Sequence, residues 1–265
     1  MHIRVNDLNL LVEQRGAGIP LLFIHGYPLS SRIWLPQLEG LSKFARTIAL
    51  DLRGHGESDV AEGPYEMDLL AEDCCAVLDA LGIDQPVVVC GLSMGGYVTF
   101  AFYRKYPERV AGLILSATRA GEDSPEAKAN RDRAASLAQE QGSGAVAESM
   151  LPKMLSPKTY SNRQELVHQV WDIMQATSVQ GIVGDLMGMK SRPNSVPTLA
   201  KIDKPTLILH GSDDQLIPLS EAVAMRTAIQ GASLRVMPDA GHLLNMEQPD
   251  PFNQAIRAFI QELSV

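Results

Sequence analysis

Three side chains that lie far apart in the sequence have the types needed for nucleophilic catalysis. Ser93 lies in the pentapeptide Gly91-Leu92-Ser93-Met94-Gly95, and Asp214 and His242 each follow a later apolar segment. A serine hydroxyl is a weak nucleophile at neutral pH, and it needs a neighbouring base that is itself oriented by a third group. The chain therefore contains the groups that an activated serine requires, in the order Ser93, Asp214, His242.

The pentapeptide has the Gly-x-Ser-x-Gly pattern, and its surroundings predict a strand, a sharp turn and a helix. The apolar run 86–90 precedes it, and the helical segment 98–102 follows it. A serine at the apex of such a turn has a strained backbone, and Gly91 and Gly95 lack the bulk that would keep the helix away from the strand. The helix would direct unpaired N–H groups and the positive end of its dipole toward Ser93, where an oxyanion would form.

Short apolar strands alternate with amphipathic helices along most of the chain. The predicted strands, of which the first two form an antiparallel hairpin at a sheet edge, are 2–5, 8–15, 20–25, 47–51, 86–90, 110–116, 205–210 and 233–237. The predicted helices include 33–41, 69–81, 98–102, 218–230 and 250–263. This alternation predicts an α/β protein whose mostly parallel sheet is covered by helices on both faces. Functional residues of such sheets gather beyond the carboxyl ends of the strands, so the loops that carry Asp214 and His242 are expected near Ser93.

The alternation stops between Arg119 and Pro197, where no strand-like apolar run occurs. Because such a block cannot continue the sheet, we expect a helical insertion that lies over the sheet's edge. Its predicted helix breaks are Gly142-Ser143-Gly144, Pro152, Pro157, Gly181 and Pro193.

The composition argues against several classes of function. The formal net charge is −8 without a basic cluster, which disfavours nucleic acid and anionic membranes as partners. No apolar run approaches the length of a membrane span, and residues 1–7 lack the apolar core of a signal peptide. Three cysteines are too few for a disulfide framework. We expect a cytoplasmic enzyme with reduced thiols.

No motif in the sequence calls for a cofactor. The sequence has no His-Glu-x-x-His, no Cys-x-x-Cys and no Gly-Lys-Ser/Thr loop, so metal and phosphate chemistry have no support. We therefore expect an enzyme without a metal or an organic cofactor.

Five short motifs give the sequence a family resemblance over essentially its full length. They are His25-Gly26, Asp51-x-Arg53-Gly54-x-Gly56-x-Ser58, Gly91-x-Ser93-x-Gly95, Gly211-x-x-Asp214, and Gly241-His242 followed by Glu247-x-Pro249. In this order the chain resembles the α/β-hydrolase superfamily, in its serine-nucleophile branch. Ala45-Arg46-Thr47, the extended elbow Gly91–Gly96 and the size of the insertion also resemble small bacterial carboxylesterases and enol-lactonases of the 3-oxoadipate type.

The resemblance implies a fold and a set of roles. It implies an α/β-hydrolase fold with an eight-stranded, mostly parallel sheet, in which 1–118 and 198–265 form the core and 119–197 form an inserted helical cap. It implies that Ser93 is the nucleophile and His242 the general base and acid. Asp214 would be the orienting carboxylate, although the adjacent Asp213 could serve. The oxyanion hole would consist of the backbone N–H groups of Tyr27 and Met94.

The activity implied by the resemblance is hydrolysis of a small-molecule ester or lactone of small to medium acyl chain through an acyl-enzyme. A perhydrolase or acyltransfer side activity is an alternative, because Tyr27-Pro28 resembles a motif of perhydrolase-type esterases. The same motifs also fit a triad-bearing ligand sensor with negligible turnover, and they fit a carbon–carbon bond hydrolase.

An enol-lactonase would need cationic groups for a carboxylate-bearing substrate. The candidates in the insertion are Arg119, Arg131, Arg133 and Lys190. Solvated charges on helix surfaces are the simpler interpretation of these four residues.

Overall fold

The structure is a computed structural model, and it describes residues 1–263. Eight strands of this part of the chain form one mixed sheet. The strands are β1 (His2–Val5), β2 (Leu8–Arg15), β3 (Pro20–Ile24), β4 (Arg46–Leu50), β5 (Val87–Leu92), β6 (Val110–Ser116), β7 (Thr206–Gly211) and β8 (Ser233–Met237). Their order across the sheet is β1-β2-β4-β3-β5-β6-β7-β8. Each lies within two residues of its predicted bounds.

The strand directions match the predicted sheet. β1 and β2 form an antiparallel hairpin at one edge, and β2 is antiparallel to β4. All other neighbouring strands are parallel. The carboxyl ends of β3 to β8 therefore lie at the same edge of the sheet. Ser93 follows β5 at this edge, Asp214 follows β7 and His242 follows β8.

Helices cover both faces of the sheet. They are α1 (Leu35–Leu41), α2 (Met67–Ala80), α3 (Met94–Lys105), α4 (Pro125–Met154), α5 (Pro157–Asn162), α6 (Gln164–Gln175), α7 (Val179–Ser191), α8 (Val196–Leu199), α9 (Leu219–Ala228), α10 (Leu244–Glu247) and α11 (Pro249–Leu263). Successive residues of β3 point to opposite faces, so Leu22 and Ile24 pack with α2 and α3, while Leu21 and Phe23 pack with α1 and α11. No helix within residues 1–263 is long and apolar enough to cross a bilayer.

The segment 119–197 contains α4 to α7 and the start of α8, and none of the eight strands. Gly142 has a left-handed backbone (φ 82°) that interrupts α4, as predicted. The helix break predicted at Pro152 lies two residues further on, because Pro152 is still in the last turn of α4, which ends at Met154. The break predicted at Gly181 is wrong. Gly181 lies in the first turn of α7, where a Cβ atom would come within 2.2 Å of the Gly54 carbonyl oxygen, so the glycine marks a close approach of α7 to the core.

Glycines also allow α3 to pack closely against the strands beside Ser93. A Cβ atom at Gly91 would lie 2.2 Å from the Gly95 carbonyl oxygen, and one at Gly95 would lie 2.2 Å from the Ile24 carbonyl oxygen. Real Cβ atoms do not approach backbone this closely, and backbone cannot rotate away as a side chain can. The two glycines therefore fix how near α3 lies to β3 and β5.

We expect Gly95→Ala to destabilise the protein by about 1–3 kcal/mol, the usual cost of overpacking a well-packed site. Gly144→Ala is the matched control, because nothing lies within 4 Å of a Cβ atom at this position of α4. An alanine there is expected to be neutral or to stabilise by about 0.5–1 kcal/mol. Urea unfolding of both variants measures the difference, and equal free energies of unfolding would show that the close contact at Gly95 is not restrictive.

Candidate active site

Ser93 stands at the turn between β5 and α3 with a strained backbone, φ 57° and ψ −113°. This conformation costs on the order of 1–3 kcal/mol and persists only when the surrounding structure holds it. The Ser93 N–H donates to the Ser116 carbonyl at 2.9 Å. The Ser93 carbonyl accepts from the Thr118 hydroxyl at 2.7 Å and from the Gly96 N–H at 2.9 Å. The end of β6 thus holds the turn that carries the predicted nucleophile.

The loops after β7 and β8 bring Asp214 and His242 together. His242 Nδ1 lies 2.9 Å from Asp214 Oδ2, and both side chains are buried. Asp214 Oδ1 accepts from the N–H groups of Leu216 and Ile217 at 2.8 and 3.0 Å. Burial alone would raise the pKa of Asp214, but the facing His242 and the two N–H donors outweigh it and lower the pKa. Asp214 is therefore ionised at neutral pH and holds a proton on Nδ1 of the imidazole.

The adjacent Asp213 has different contacts. Its carboxylate accepts from the Ser212 hydroxyl at 2.8 Å, and only the Asp214 carboxylate faces His242. Ser93 Oγ and His242 Nε2 have no hydrogen-bond partner within residues 1–263. The structure thus joins Asp214 to His242 directly, and it places Ser93 at the same edge of the sheet without a hydrogen bond to the imidazole.

Two backbone N–H groups beside Ser93 have no acceptor within residues 1–263: those of Tyr27 and Met94. Met94 is the first residue of α3, where N–H groups have no partner inside the helix. Tyr27 follows Gly26, and a Cβ atom at Gly26 would lie 3.1 Å from Ser93 Cβ. Both residues are buried, whereas Ser93 is partly exposed.

His25 holds the loop that carries Tyr27. The Leu52 N–H donates to His25 Nε2 at 3.0 Å, so the ring proton is on Nδ1 and is donated to the Gly26 carbonyl at 2.9 Å. Burial and the nearby His55 lower the pKa of His25 to about 3. The ring therefore stays neutral at physiological pH and keeps both hydrogen bonds.

Glu247 holds the histidine loop and the cap together. Its carboxylate accepts from the Gly241 N–H at 2.8 Å and from the Ser156 N–H at 3.0 Å. Next to this contact, the Leu243 N–H donates to the Met154 carbonyl at 3.0 Å. The residues on both sides of His242 are therefore fixed to the junction between α4 and α5. The motif Glu247-x-Pro249 was visible in the sequence, but the contact with the cap was not.

A second buried contact between core and cap was missed by sequence reasoning. His55 Nε2 lies 3.0 Å from Asp185 Oδ2 of α7, and neither side chain has exposed surface. Burial would lower the pKa of His55, but Asp185 outweighs it and raises the pKa. The only sequence signal was a single carboxylate, Asp185, in the otherwise uncharged run 179–189.

The four cationic candidates of the insertion lie in two different settings. Arg133 and Lys190 pair with Asn130 and Asp132 on the surface. Arg119 and Arg131 instead contact the buried carboxylate of Asp123. Within residues 1–263 no three His, Cys, Asp or Glu side chains converge as metal ligands would.

Comparisons with known proteins identify the family and the fold of the chain. The family model described as alpha/beta hydrolase fold matches residues 19–249. An esterase from Thermogutta terrifontis, solved with malate bound, is 41% identical with a TM-score of 0.95, and the match covers 97% of this chain and 95% of that one.

Two curated relatives match over similar lengths. The 3-oxoadipate enol-lactonase 2 of Acinetobacter baylyi is 29% identical over 92% of this chain and 89% of its own. A non-heme haloperoxidase of Rhodococcus erythropolis is 31% identical over 93% of each chain. The family match spans most of the chain, and the fold and the order of the motifs agree with it. The protein is therefore a hydrolase that belongs to the α/β hydrolase fold family.

Proposed function

We propose that this protein is a serine carboxylic-ester hydrolase that acts on small esters or lactones through an acyl-enzyme. The observation that carries the proposal is the contact between His242 and Asp214, 2.9 Å, at the sheet edge where the strained turn exposes Ser93. Relatives named esterase and enol-lactonase support the ester and lactone classes.

The first half of the reaction would acylate the serine. His242 accepts the proton of the Ser93 hydroxyl on Nε2 while the oxygen attacks the ester carbonyl carbon. The carbonyl oxygen becomes an oxyanion and accepts hydrogen bonds from the unpaired N–H groups of Tyr27 and Met94. The carbon–oxygen bond to the alcohol then breaks, and His242 gives its proton to the departing alcohol. Asp214 stays ionised throughout and stabilises the imidazolium.

The second half would release the acid. Water attacks the acyl carbon and gives a proton to His242, and the same two N–H groups stabilise the second oxyanion. The bond to Ser93 Oγ breaks, the proton returns to Oγ, and the carboxylic acid leaves. With a lactone, the alcohol remains attached to the acyl chain, so the product is a single hydroxy acid.

We expect Ser93→Ala to lower the hydrolysis of p-nitrophenyl butyrate by at least about 10³-fold, because no other group would form the acyl-enzyme. The measurement is release of p-nitrophenol before and during steady state. The wild type should show continuous turnover. A single stoichiometric burst without turnover would indicate a sensor instead, and full activity of the variant would refute the proposal.

We expect Asp214→Asn to lower kcat by about 10³–10⁴-fold, because an amide no longer holds the required imidazole tautomer or stabilises the imidazolium. Asp213→Asn is the matched control, and it should change kcat less than about threefold, since its carboxylate contacts Ser212 and not His242. Steady-state kinetics of the two variants decides between the adjacent carboxylates. A large loss in the Asp213 variant alone would reverse their proposed roles.

A second candidate activity is perhydrolysis, and the relative named non-heme haloperoxidase favours it. Hydrogen peroxide would replace water in the second half, give its proton to His242 and leave as a peracid. A peracid can oxidise halide to hypohalous acid. The assay contains p-nitrophenyl acetate, hydrogen peroxide, bromide and monochlorodimedone as the halogen acceptor. We expect the wild type to brominate the monochlorodimedone and the Ser93→Ala variant not to do so. Product formation that is independent of Ser93 would exclude this route.

A further inference from the structure

A hydroxyl group of the cap holds the loop that carries Tyr27. Thr177 lies between α6 and α7, and its hydroxyl donates to the Pro28 carbonyl at 3.0 Å. The two residues are 149 positions apart in the sequence, and Thr177 is only 2% exposed. Because proline has no N–H group, the carbonyl is the backbone group through which a hydrogen bond can hold Pro28. The cap therefore supplies a contact that fixes this part of the loop.

Two planar peptide groups connect the Thr177 hydroxyl to the predicted oxyanion hole. The Pro28 carbonyl and the Leu29 N–H belong to one peptide group, and this N–H donates to the Gly26 carbonyl at 2.9 Å. The Gly26 carbonyl shares the next peptide group with the Tyr27 N–H. Both peptide bonds are trans, so in each group the N–H and the C=O point in opposite directions. The direction of the Tyr27 N–H is therefore linked to the hydroxyl of Thr177.

The other predicted oxyanion donor is held in a similar way inside the core. The Met94 N–H shares a peptide group with the Ser93 carbonyl, which accepts from the Thr118 hydroxyl and from the N–H three residues further on. The Gly26 carbonyl likewise accepts from His25 Nδ1 and from the N–H three residues further on. Each donor thus has a carbonyl behind it that two hydrogen bonds fix. In the loop at Gly26, however, the series of hydrogen bonds continues into the cap.

This series also strengthens the last donor. A hydrogen bond to the carbonyl of a peptide group polarises the group, so its N–H becomes a better donor. The Thr177 hydroxyl acts in this way on the Leu29 N–H, which in turn acts on the Tyr27 N–H. An oxyanion carries more negative charge than the carbonyl oxygen of a bound ester, so it gains more from a stronger and better aligned donor. The effect therefore falls mainly on the transition state.

Other hydrogen bonds attach the same part of the cap to the core without reaching this loop. The Ser178 hydroxyl donates to the Gly54 carbonyl at 2.9 Å, and the Tyr65 N–H donates to the Gly184 carbonyl at 2.9 Å. Both bonds join α7 or its first turn to the segment between β4 and α2. Docking of α7 on the core therefore does not depend on the Thr177 hydroxyl alone, and this hydroxyl can be removed while the cap stays in place.

We propose that Thr177 is a positioning residue of the oxyanion hole. Its hydroxyl holds the peptide group of Pro28 and Leu29, and this group holds the Tyr27 N–H in the direction in which it stabilises the oxyanion. The cap thus contributes to transition-state stabilisation. The inference rests on the proposed ester hydrolase function and adds a residue of the cap to it.

Thr177→Val removes the hydroxyl, keeps the branched shape of the side chain and leaves the buried Pro28 carbonyl without this donor. We expect kcat for p-nitrophenyl butyrate to fall about 10–100-fold, since loss of one oxyanion donor costs about 10²–10³-fold and misplacement costs part of that. Both halves of the reaction pass through an oxyanion, so kcat falls whichever half is slower, and KM should change less than about threefold. Thr177→Ser keeps the hydroxyl and should retain kcat within about threefold.

Ser178→Ala is the matched control, because it removes the neighbouring hydroxyl, whose bond to the core ends at the Gly54 carbonyl. The Ser178 hydroxyl also accepts from the Gly181 N–H at the start of α7, so the urea midpoint should fall. Its kcat should stay within about threefold of the wild type. A purely structural role of Thr177 would give this same pattern in Thr177→Val, with a lower midpoint and an unchanged kcat.

Inhibition by propyl trifluoromethyl ketone measures the oxyanion interaction directly. Ser93 Oγ adds to the ketone carbon, the hydroxyl proton passes to His242, and the ketone oxygen becomes an oxyanion that the two N–H groups stabilise. Thr177→Val should raise the inhibition constant of this ketone about 10–100-fold, in parallel with its loss of kcat/KM. Ser178→Ala should leave the inhibition constant within about threefold of the wild type.

Three results would overturn the inference. They are a kcat and a ketone inhibition constant of Thr177→Val equal to those of the wild type, losses in Ser178→Ala as large as those in Thr177→Val, and a Thr177→Ser variant that loses as much activity as Thr177→Val. Circular dichroism shows that each variant folds, and Thr177→Ala takes the place of the valine variant if that one does not fold.

The Ser93→Ala variant separates this inference from the proposed function. Wild-type turnover that depends on Ser93, together with any of the three results, refutes the role of Thr177 alone. Turnover that persists in Ser93→Ala refutes the proposed function as well.

Discussion

The left-handed backbone at Ser93 is the constraint on which the arrangement of the site depends. An L residue adopts this conformation only when its neighbours hold it, and here the end of β6 does so through Ser116 and Thr118. The same turn requires α3 to start directly at the sheet, which brings Gly95 against the carbonyl of Ile24. The turn is therefore compatible with a β6 that lies beside β5 and an α3 that lies close to β3, and it places the N–H of Met94, the first residue of α3, next to Ser93.

The histidine is held by a different kind of interaction. The loop around His242 joins β8 to α10, and apolar packing alone would leave its buried backbone N–H groups without partners. The Glu247 carboxylate accepts one of them, from Gly241, and it accepts another from Ser156 of the cap. One buried carboxylate thus joins the loop that carries His242 to the cap, so this end of the cap cannot shift without disturbing the loop. The interruption of α4 at Gly142 lies outside this anchored junction.

The strands of the sheet could be predicted from the sequence, because buried strands are nearly continuous apolar runs. The length of each run limits where its strand can end. Contacts between distant segments were less accessible. Asp213 and Asp214 are chemically identical neighbours, and the direction of each side chain depends on a turn that the Gly-x-x-Asp spacing only suggests. The pair of His55 and Asp185 joins residues 130 positions apart, and no local pattern links them. Gly181 was interpreted as a helix break because a glycine that permits close packing looks the same in sequence as one that ends a helix.

The contacts of the cationic cap residues were also not predictable from local sequence patterns. Arg131 and Arg133 are two residues apart in α4, so their side chains point about 200° apart around the helix. α4 has few fully buried apolar residues, and hydrophobic periodicity therefore could not show which arginine faces the core. In the structure Arg131 joins Arg119 at Asp123, while Arg133 and Lys190 remain on the surface. Arg131 and Arg133 carry the same charge on the same helix, so only the three-dimensional contacts separate the arginine that pairs with a buried carboxylate from the one that stays on the surface.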